Sequence, residues 1–438
     1  MHRAYTAAMT STAHAPAALR ERMLSQLPAE VRDVLARIAA ANAAGHTYAV
    51  GGMVRDLLLG RTIVDVDLAT EGDAILALRR AVPETKLTAH TRFRTATTRV
   101  GDIEIDVVTA RSEIYVRPGS LPHVAPSTID HDLRRRDFSM NAIALRLDDD
   151  AILLDPCNGV DDINARLVRV LHPRSFDDDP TRMFRAVRYA ERLGFSVESQ
   201  TESLLTAALP SARTVSPARL RREIELMLLE SDAGDVLEAA DKRGLLRAIH
   251  PRLKWDDEKT SGLAQGGPQR IARLPFGFAL LASRVSREEA AAVIDRLRLT
   301  RDEAAAVTAT ATMRDLGRTL RRPDAKPSGI VLLLEKFPAP AIAAYAATAD
   351  DTIARQLALR YLEEWRHVKP LLRGDALAGM GVPTGPLIKR GLQLIRAARL
   401  DGWANDKGDE RALALRFAKS IRDSTTANAE IKLHSNGH

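Results

Sequence analysis

Three short segments of the chain place residue types at spacings that could handle a triphosphate and a divalent cation. The first is Gly51-Gly52-Met53-Val54-Arg55-Asp56, followed by Asp65-Val66-Asp67. Two glycines between a strand and a helix let backbone amides approach an anion, because no Cβ stands in the way. If Ile63–Leu68 is a strand, its side chains alternate between faces. Asp65 and Asp67 then point the same way, about 7 Å apart. Like charges that close repel unless a cation sits between them, and hard divalent ions take oxygen ligands. In Ile103–Val108, Asp106 lies on the face opposite Ile103, Ile105 and Val107 and so offers a third carboxylate. A lone Asp-x-Asp more often lines the wet face of a strand. The Gly-Gly-x-x-Arg turn just upstream argues for chemistry instead.

The second segment is Arg134-Arg135-Arg136-Asp137-Phe138-Ser139-Met140-Asn141. Arg136 can hold a triphosphate through two parallel N–H donors, and Asp137 or Asn141 can reach a ribose hydroxyl. The third begins at Asp177-Asp178-Asp179-Pro180-Thr181-Arg182, where an Asp cap and a proline at the first helical position open a helix. Arg182, Arg185, Arg188 and Arg192 then share one face, with Met183, Phe184, Val187 and Ala190 on the other. Such a ridge of like charge requires an anion beside it.

The elements that must position these residues are short. Thr47–Val50 reads as a strand running into the glycine pair, and Val54–Leu59 as a helix ending at Gly60. Thr97–Val100 and Ile103–Val108 flank Gly101-Asp102, a two-residue hairpin signal. Ala142–Leu147 and Ile152–Leu154 flank Asp148–Asp150 in the same way. After Pro156 the strand signal disappears, and an Ala-, Leu-, Arg- and Glu-rich run predicts helices without a fixed-period repeat. The fold class is therefore α+β, a mixed head followed by a helical remainder.

At 438 residues the chain is too long for one ordinary core, and about two to four domains are expected. With 45% hydrophobic and 28% charged residues, the composition fits a soluble globular protein and excludes collagen-like or mostly disordered classes. The 64 Lys+Arg against 57 Asp+Glu, net +7, favour a polyanionic partner. Aromatics are only 4%, so a nucleic acid would be held by phosphate and shape contacts more than by base stacking. The single Cys157 cannot form an internal disulfide, and no long apolar run suggests a membrane span. A cytoplasmic protein is expected.

Taken in order, these segments resemble the class II tRNA nucleotidyltransferase and bacterial poly(A) polymerase family over residues from about 45 to 230. The resemblance implies a nucleotidyltransferase head with a small mixed sheet, then an all-helical neck, body and tail. It places the head at 19–160, the neck with its base-recognition motif at 161–230, the body at 231–320 and a tRNA-binding tail at 321–425. Residues 1–18 and 426–438 are expected to be disordered. The implied activity is template-independent addition of C and/or A from CTP and ATP to a tRNA 3′ end, as in CCA synthesis or repair. Two Mg²⁺ ions would assist attack of the 3′-hydroxyl on the α-phosphate. By the resemblance Asp65, Asp67 and Asp106 are catalytic metal ligands, and Gly51, Gly52 and Arg55 contact nucleotide phosphates. Arg136 and Asp137 match an Arg-Arg-Asp-Phe motif, Asp179 and Arg182 a base-edge-reading pair, and Arg185 and Arg188 further nucleotide contacts. Arg219, Arg221 and Arg222 match a segment close to bound RNA.

One departure is Asp178, where the family usually has Glu; it is a methylene shorter and bears on how Arg182 is oriented. No His-Asp phosphohydrolase constellation appears, so no accessory phosphatase is expected. Arg111–Asp132 matches the flexible connection that helps the family switch from C to A addition. The basic stretches Arg314–Lys326 and Lys369–Arg373 could touch RNA phosphates, whereas Trp255, Trp365 and Trp403 read as packing residues. The expected partners are the tRNA acceptor end and nucleoside triphosphates, without a membrane or an obligate protein partner. Three other readings remain: an enzyme adding A alone, a poly(A) polymerase, and an RNA-binding helical protein with a degenerate head.

Overall fold

The computed structural model describes residues 15–435, apart from 43–44, 92, 116–118, 120–121, 265–270 and 321–324. Its contacts divide the chain into two units, Met1–Pro251 and Arg252–His438.

The first unit is built on a seven-stranded sheet. Its strands are β1 (Thr47–Val50), β2 (Val66–Thr70), β3 (Thr88–His90), β4 (Thr95–Val100) and β5 (Ile103–Thr109). A separate hairpin, β6 (Arg111–Ile114) with β7 (His123–Pro126), precedes the last two sheet strands, β8 (Ala144–Arg146) and β9 (Leu153–Leu154). The sheet order is β3-β4-β5-β2-β1-β8-β9, with β2 and β5 parallel and the other neighbours antiparallel. This is the small mixed sheet expected for the head.

Alternation fixes what each face carries. In β5, Ile105 and Val107 are buried, while Asp106 on the opposite face is half-buried. In β2, Val66 and Leu68 are buried and Asp67 between them is half-buried. Parallel pairing sets Asp67 beside Asp106, so the register of two hydrophobic strands brings two carboxylates together. Helices α1 (Pro16–Gln26) and α2 (Ala29–Ala41) precede the sheet, α3 (Gly52–Leu58) follows β1, and α4 (Ala74–Ala81) follows β2. Helix α4 packs on β4 and β5, and α2 packs on α4. Helix α5 (Ile129–Arg134) follows β7 and is fixed by Ile129 and Leu133, which join Tyr48, Val50, Ala69, Ala142 and Ala144 in one buried cluster. That anchor determines where Arg135 and Arg136 emerge.

Beyond the sheet come α6 (Gly159–Asn164), α7 (Ser175–Asp178), α8 (Thr181–Leu193), α9 (Ser199–Ala208), α10 (Pro217–Leu229), α11 (Ala233–Lys242) and α12 (Leu245–Ile249). Helix α8 buries Met183, Phe184, Ala186, Val187 and Ala190 and packs on α10 and α11. Each such large apolar side chain contributes about 1.5–3 kcal/mol on full burial. The helix stops at Gly194, whose φ of +69° is the left-handed conformation that glycine adopts without strain.

Four expectations need correction in this unit. The second strand begins at Val66, after Asp65, because its first pairing partner is Ile105. The stretch Arg111–Asp132 is not one long loop; it contains the β6–β7 hairpin and the start of α5, although part of it lies outside the described residues. Strands do continue past Pro156, since β10 (Leu167–Val168) and β11 (Ser196–Val197) form a short parallel pair. Residues 233–249, expected to belong to the body, pack within the first unit.

Every element of the second unit among its described residues is a helix, from Asp257–Ala264 to Lys407–Ser435. The last helix runs through most of the stretch expected to lack structure, although residues 436–438 lie outside the described residues. Residues 1–14 also lie outside them, and helix begins at Pro16, within the expected disordered segment. Leu377, Val382, Ile395, Ala414 and Ala418 form one buried cluster. Trp255 and Trp365 are buried as expected, but Trp403 is 71% exposed, with the Lys326 ammonium 5.1 Å from its ring centre. No single helix among the described residues is long and apolar enough to cross a membrane.

Candidate active site

A cavity of about 720 Å³ opens where the ends of β1, β2 and β5 meet the start of α8. It is lined by Gly51, Gly52, Arg55, Asp65, Asp67, Asp106, Arg136, Asp137, Asp179, Arg182 and Arg185, which covers nearly every residue expected to do chemistry. Arg188 is the exception. It is buried and donates to Glu230 at 3.1 Å.

The floor of the cavity is acidic. Asp67 is pushed up to about 6, by burial first and by the Asp106 and Asp65 carboxylates, with Arg136 and Arg55 pulling the other way. The Thr97 hydroxyl, on the strand paired with β5, donates to Asp106. Asp65 sits exposed at the bend before β2 and lines the same cavity. Among the described residues no three acidic, His or Cys side chains are grouped tightly enough to hold a metal ion, so the expected cage of three carboxylates is not preformed. The Asp67–Asp106 pair, two hard oxygen donors side by side in register, still fits a divalent cation.

The turn above this floor differs from its expected use. The Gly51 amide is already engaged, donating to the Ile143 carbonyl at 3.4 Å. Its φ of +68° is strained for any other residue, and a Cβ there would stand 2.7 Å from Arg136 Nη1. Gly51 therefore makes room for Arg136. Arg55, only 1% exposed, donates to both Asp56 oxygens and to Asn141 Oδ1 at 2.7 Å. Its guanidinium braces the turn against the segment after α5 instead of standing free for a phosphate.

The wall is cationic and held by buried carboxylates. Asp132 is fully buried, and one oxygen accepts from Arg135 Nε and Nη2 while the other accepts from Arg136 Nε and Nη2. Burial would raise its pKa, but Arg136 and Arg135 outweigh that and lower it. Asp137 accepts from Asn141 Nδ2 and from Arg185 Nε and Nη2. Burial again works upward there, yet Arg185 and Asn141 hold it down at about 2. With both oxygens so occupied, Asp137 anchors Arg185 more than it offers itself to a ribose. Glu113 on β6 accepts from Arg111, Arg135 and the Tyr115 hydroxyl. The Tyr189 ring lies about 5 to 6 Å from four guanidinium groups, those of Arg55, Arg185, Arg188 and Arg192. The arginine ridge on α8 is thus neutralised in part by Asp137 and Glu230 and cushioned by an aromatic face.

At the entry to α8 the helix begins at Thr181, one residue later than expected. Asp179 Oδ1 accepts from the Thr181 amide and hydroxyl. Arg219 on α10 donates from Nη2 to both Asp179 oxygens, each at 2.7 Å. Arg182 is 5% exposed; its Nη2 donates to the Arg135 carbonyl at 2.7 Å and its Nη1 has no partner among the described residues. Asp178 lies 3.8 Å from His172 and Arg174 and does not line the cavity. Arg221 and Arg222 pair with Glu225 on their own helix.

Sequence reasoning missed Asp132, Glu113, Tyr115, Arg135 and Tyr189 as parts of this site, and gave Arg219 a different partner. The signal for Asp132 was available, since it stands three and four residues before Arg135 and Arg136 at helical spacing.

Comparisons with known proteins agree with this architecture. A family model described as the poly A polymerase head domain matches residues 47–169. A second, described as a probable RNA- and SrmB-binding site of polymerase A, matches 194–256. An A-adding tRNA nucleotidyltransferase of Geobacter sulfurreducens is 32% identical over 85% of this chain and 45% of its own length. The chain thus spans less than half of that relative. The A-adding enzyme of Halalkalibacterium halodurans is 31% identical over 86% of this chain and 88% of its own. The solved structure of a Thermotoga maritima CCA-adding enzyme complexed with tRNA superposes with a TM-score of 0.75 at 25% identity, covering 92% of this chain and 98% of that one.

Proposed function

The chain belongs to the class II tRNA nucleotidyltransferase and bacterial poly(A) polymerase family, and from that premise we propose that it adds C, A or both to the 3′ end of tRNA without a template. CTP and ATP are its substrates, the tRNA acceptor end is its partner, and a cytoplasmic setting fits its single cysteine.

One observation carries the reading. A single cavity holds an unneutralised acidic pair, Asp67 and Asp106, together with an unpartnered buried donor, Arg182 Nη1, beside the carboxylate of Asp179. Phosphates and a base edge need these two ends at once. Asp67 and Asp106, with Asp65 alongside, would hold Mg²⁺, which when bound neutralises charge at the reacting phosphates. Arg136, kept in place by Asp132, faces the same cavity and can donate two parallel hydrogen bonds to phosphate oxygens. Arg185 and Arg192 extend this cationic wall. In the reaction the 3′-hydroxyl of the RNA attacks the α-phosphate and pyrophosphate leaves; these arginines orient the triphosphate and balance the charge on the leaving group.

At the other end, Asp179 Oδ2 accepts, among the described residues, from Arg219 alone and so retains acceptor capacity, while Arg182 Nη1 is a spare donor. Cytosine and adenine each present an amino donor next to a ring-nitrogen acceptor, the complement of this pair; uracil and guanine present the reverse order. The tRNA-bound relative and the A-adding relatives favour tRNA over generic RNA.

The test is product analysis. tRNA transcripts ending before CCA, after C and after CC are incubated with Mg²⁺ and each labelled nucleoside triphosphate. Labelling by CTP, ATP or both, stopping at the CCA end, is expected. Labelling of the CC transcript alone would narrow the activity to A addition. Long A tracts on unrelated RNA would identify a poly(A) polymerase, and no incorporation would refute the proposal.

A further inference from the structure

We propose that Arg219 sets base selectivity by keeping Asp179 apart from Arg182; the inference rests on the reading of that pair as the base-edge contact. Asp179 and Arg182 stand three residues apart at the entry to α8, near enough along the chain for opposite charges to pair. A closed ion pair would consume both the acceptor and the donor that a base needs. Here each has been given another partner. Arg219, reaching across from α10, bridges both Asp179 oxygens and also donates to the Thr181 hydroxyl at 3.3 Å. Arg182 is drawn the other way by the Arg135 carbonyl.

The consequence is an open couple. Leaving a donor such as Arg182 Nη1 buried and unpaired is costly, and the cost is recovered when a ligand supplies the acceptor. Asp179 cannot swing toward Arg182 while Arg219 Nη2 holds both of its oxygens. Arg219 Nη1 also donates to the Gly119 carbonyl at 3.3 Å, so the same guanidinium ties the couple to the β6–β7 connection. Remove that contact, and Arg182, three residues further along the chain, is left to pair with Asp179. The pair then closes, the edge stops distinguishing donors from acceptors, and discrimination against UTP and GTP falls. Arg219 is thereby a positioning residue. That role differs from the RNA-phosphate contact its basic segment suggests, which would weaken tRNA binding and leave nucleotide choice alone.

The experiment compares full-length wild type, Arg219→Gln and Arg219→Lys. It measures kcat/KM for single addition of each of the four nucleoside triphosphates to tRNA transcripts, and tRNA affinity separately. In Arg219→Gln the preference for the cognate nucleotide over UTP and GTP is expected to fall about tenfold or more, the equivalent of one good paired contact, with tRNA affinity unchanged. Arg219→Lys, which keeps the charge and one nitrogen for Asp179 but loses the second nitrogen that holds the Gly119 carbonyl, is expected to fall between the two. Unchanged selectivity in Arg219→Gln overturns the inference, whether or not tRNA affinity drops. If circular dichroism shows that Arg219→Gln is unfolded, selectivity in Arg219→Lys equal to wild type overturns it instead. A wild type that adds no nucleotide at all refutes the functional reading itself, whereas an active wild type with an equally selective variant refutes only the role of Arg219.

Discussion

Two pairs of carboxylates, one half-buried and one buried, lie within one unit and behave in opposite ways. Asp67 and Asp106 form the floor of the cavity, and Asp67 is raised to about 6 because burial and like charges act together. Asp132 and Asp137 stand in the wall, more deeply buried, yet both are lowered because arginines outweigh the burial. The fold had arginines available for the floor as well, since Arg136 and Arg55 pull on Asp67 from nearby. It spends them on Asp132, Asp56 and Asn141 instead. Where carboxylates are saturated they serve to aim arginines. Where they are left unsaturated, a charge from outside the chain is required.

Breaking the floor gives the largest expected effect. Asp106→Asn removes one of two oxygen-rich ligands and should lower nucleotide addition by about 10³-fold or more, with tRNA affinity retained. Removing a repelling charge should leave thermal stability at neutral pH unchanged or higher, as a melting curve would show. Breaking the wall has the reverse signature. Asp132→Asn takes its carboxylate from Arg136 and leaves Arg135 only Glu113, and should cost about 1–3 kcal/mol of stability, read as a lower urea midpoint. Gly51→Ala tests how floor and wall meet. It imposes a positive φ and crowds Arg136 Nη1, with an expected loss of about 1–3 kcal/mol, visible as a lower melting temperature together with weaker nucleotide binding.

The smallest effect sharpens the contrast through pH. Asp137, held near 2 against an ordinary 3.8, contributes stability that is present above pH 4 and is lost as pH falls through 2. In Asp137→Asn that dependence should be absent, so its stability profile should be flatter than wild type between pH 4 and 2 by about 2 kcal/mol.

The floor was legible in the sequence and much of the wall was not, for a physical reason. Asp67, Asp106 and Gly51 belong to short elements in which strand alternation and a single turn dictate direction. Arg136 and Arg182 were legible from their motifs, but what holds them was not. Asp132 was within reach as a helical neighbour, whereas Glu113, Tyr189 and the Arg219–Asp179 pair depend on contacts between distant segments that no local period encodes. The β6–β7 hairpin escaped because Pro122 and Pro126 flank or end its second strand and mask the alternation. Asp65 was set in the strand because apolar alternation begins at Ile63, but pairing with β5 begins only at Val66. In the second unit helicity was evident from composition, yet the exposure of Trp403 was not, since an aromatic residue carries no mark of which side of a helix end it will face.

The central claim is that the unneutralised pair on the floor is where a divalent cation enters the site. Electron paramagnetic resonance of Mn²⁺, counting ions bound per chain in the presence of a non-reactive CTP analogue, addresses it without relying on turnover. Wild type should bind Mn²⁺ in the ternary mixture, and Asp67→Asn and Asp106→Asn should each lose ions at the same nucleotide occupancy. An equal count in wild type and both variants would contradict the account.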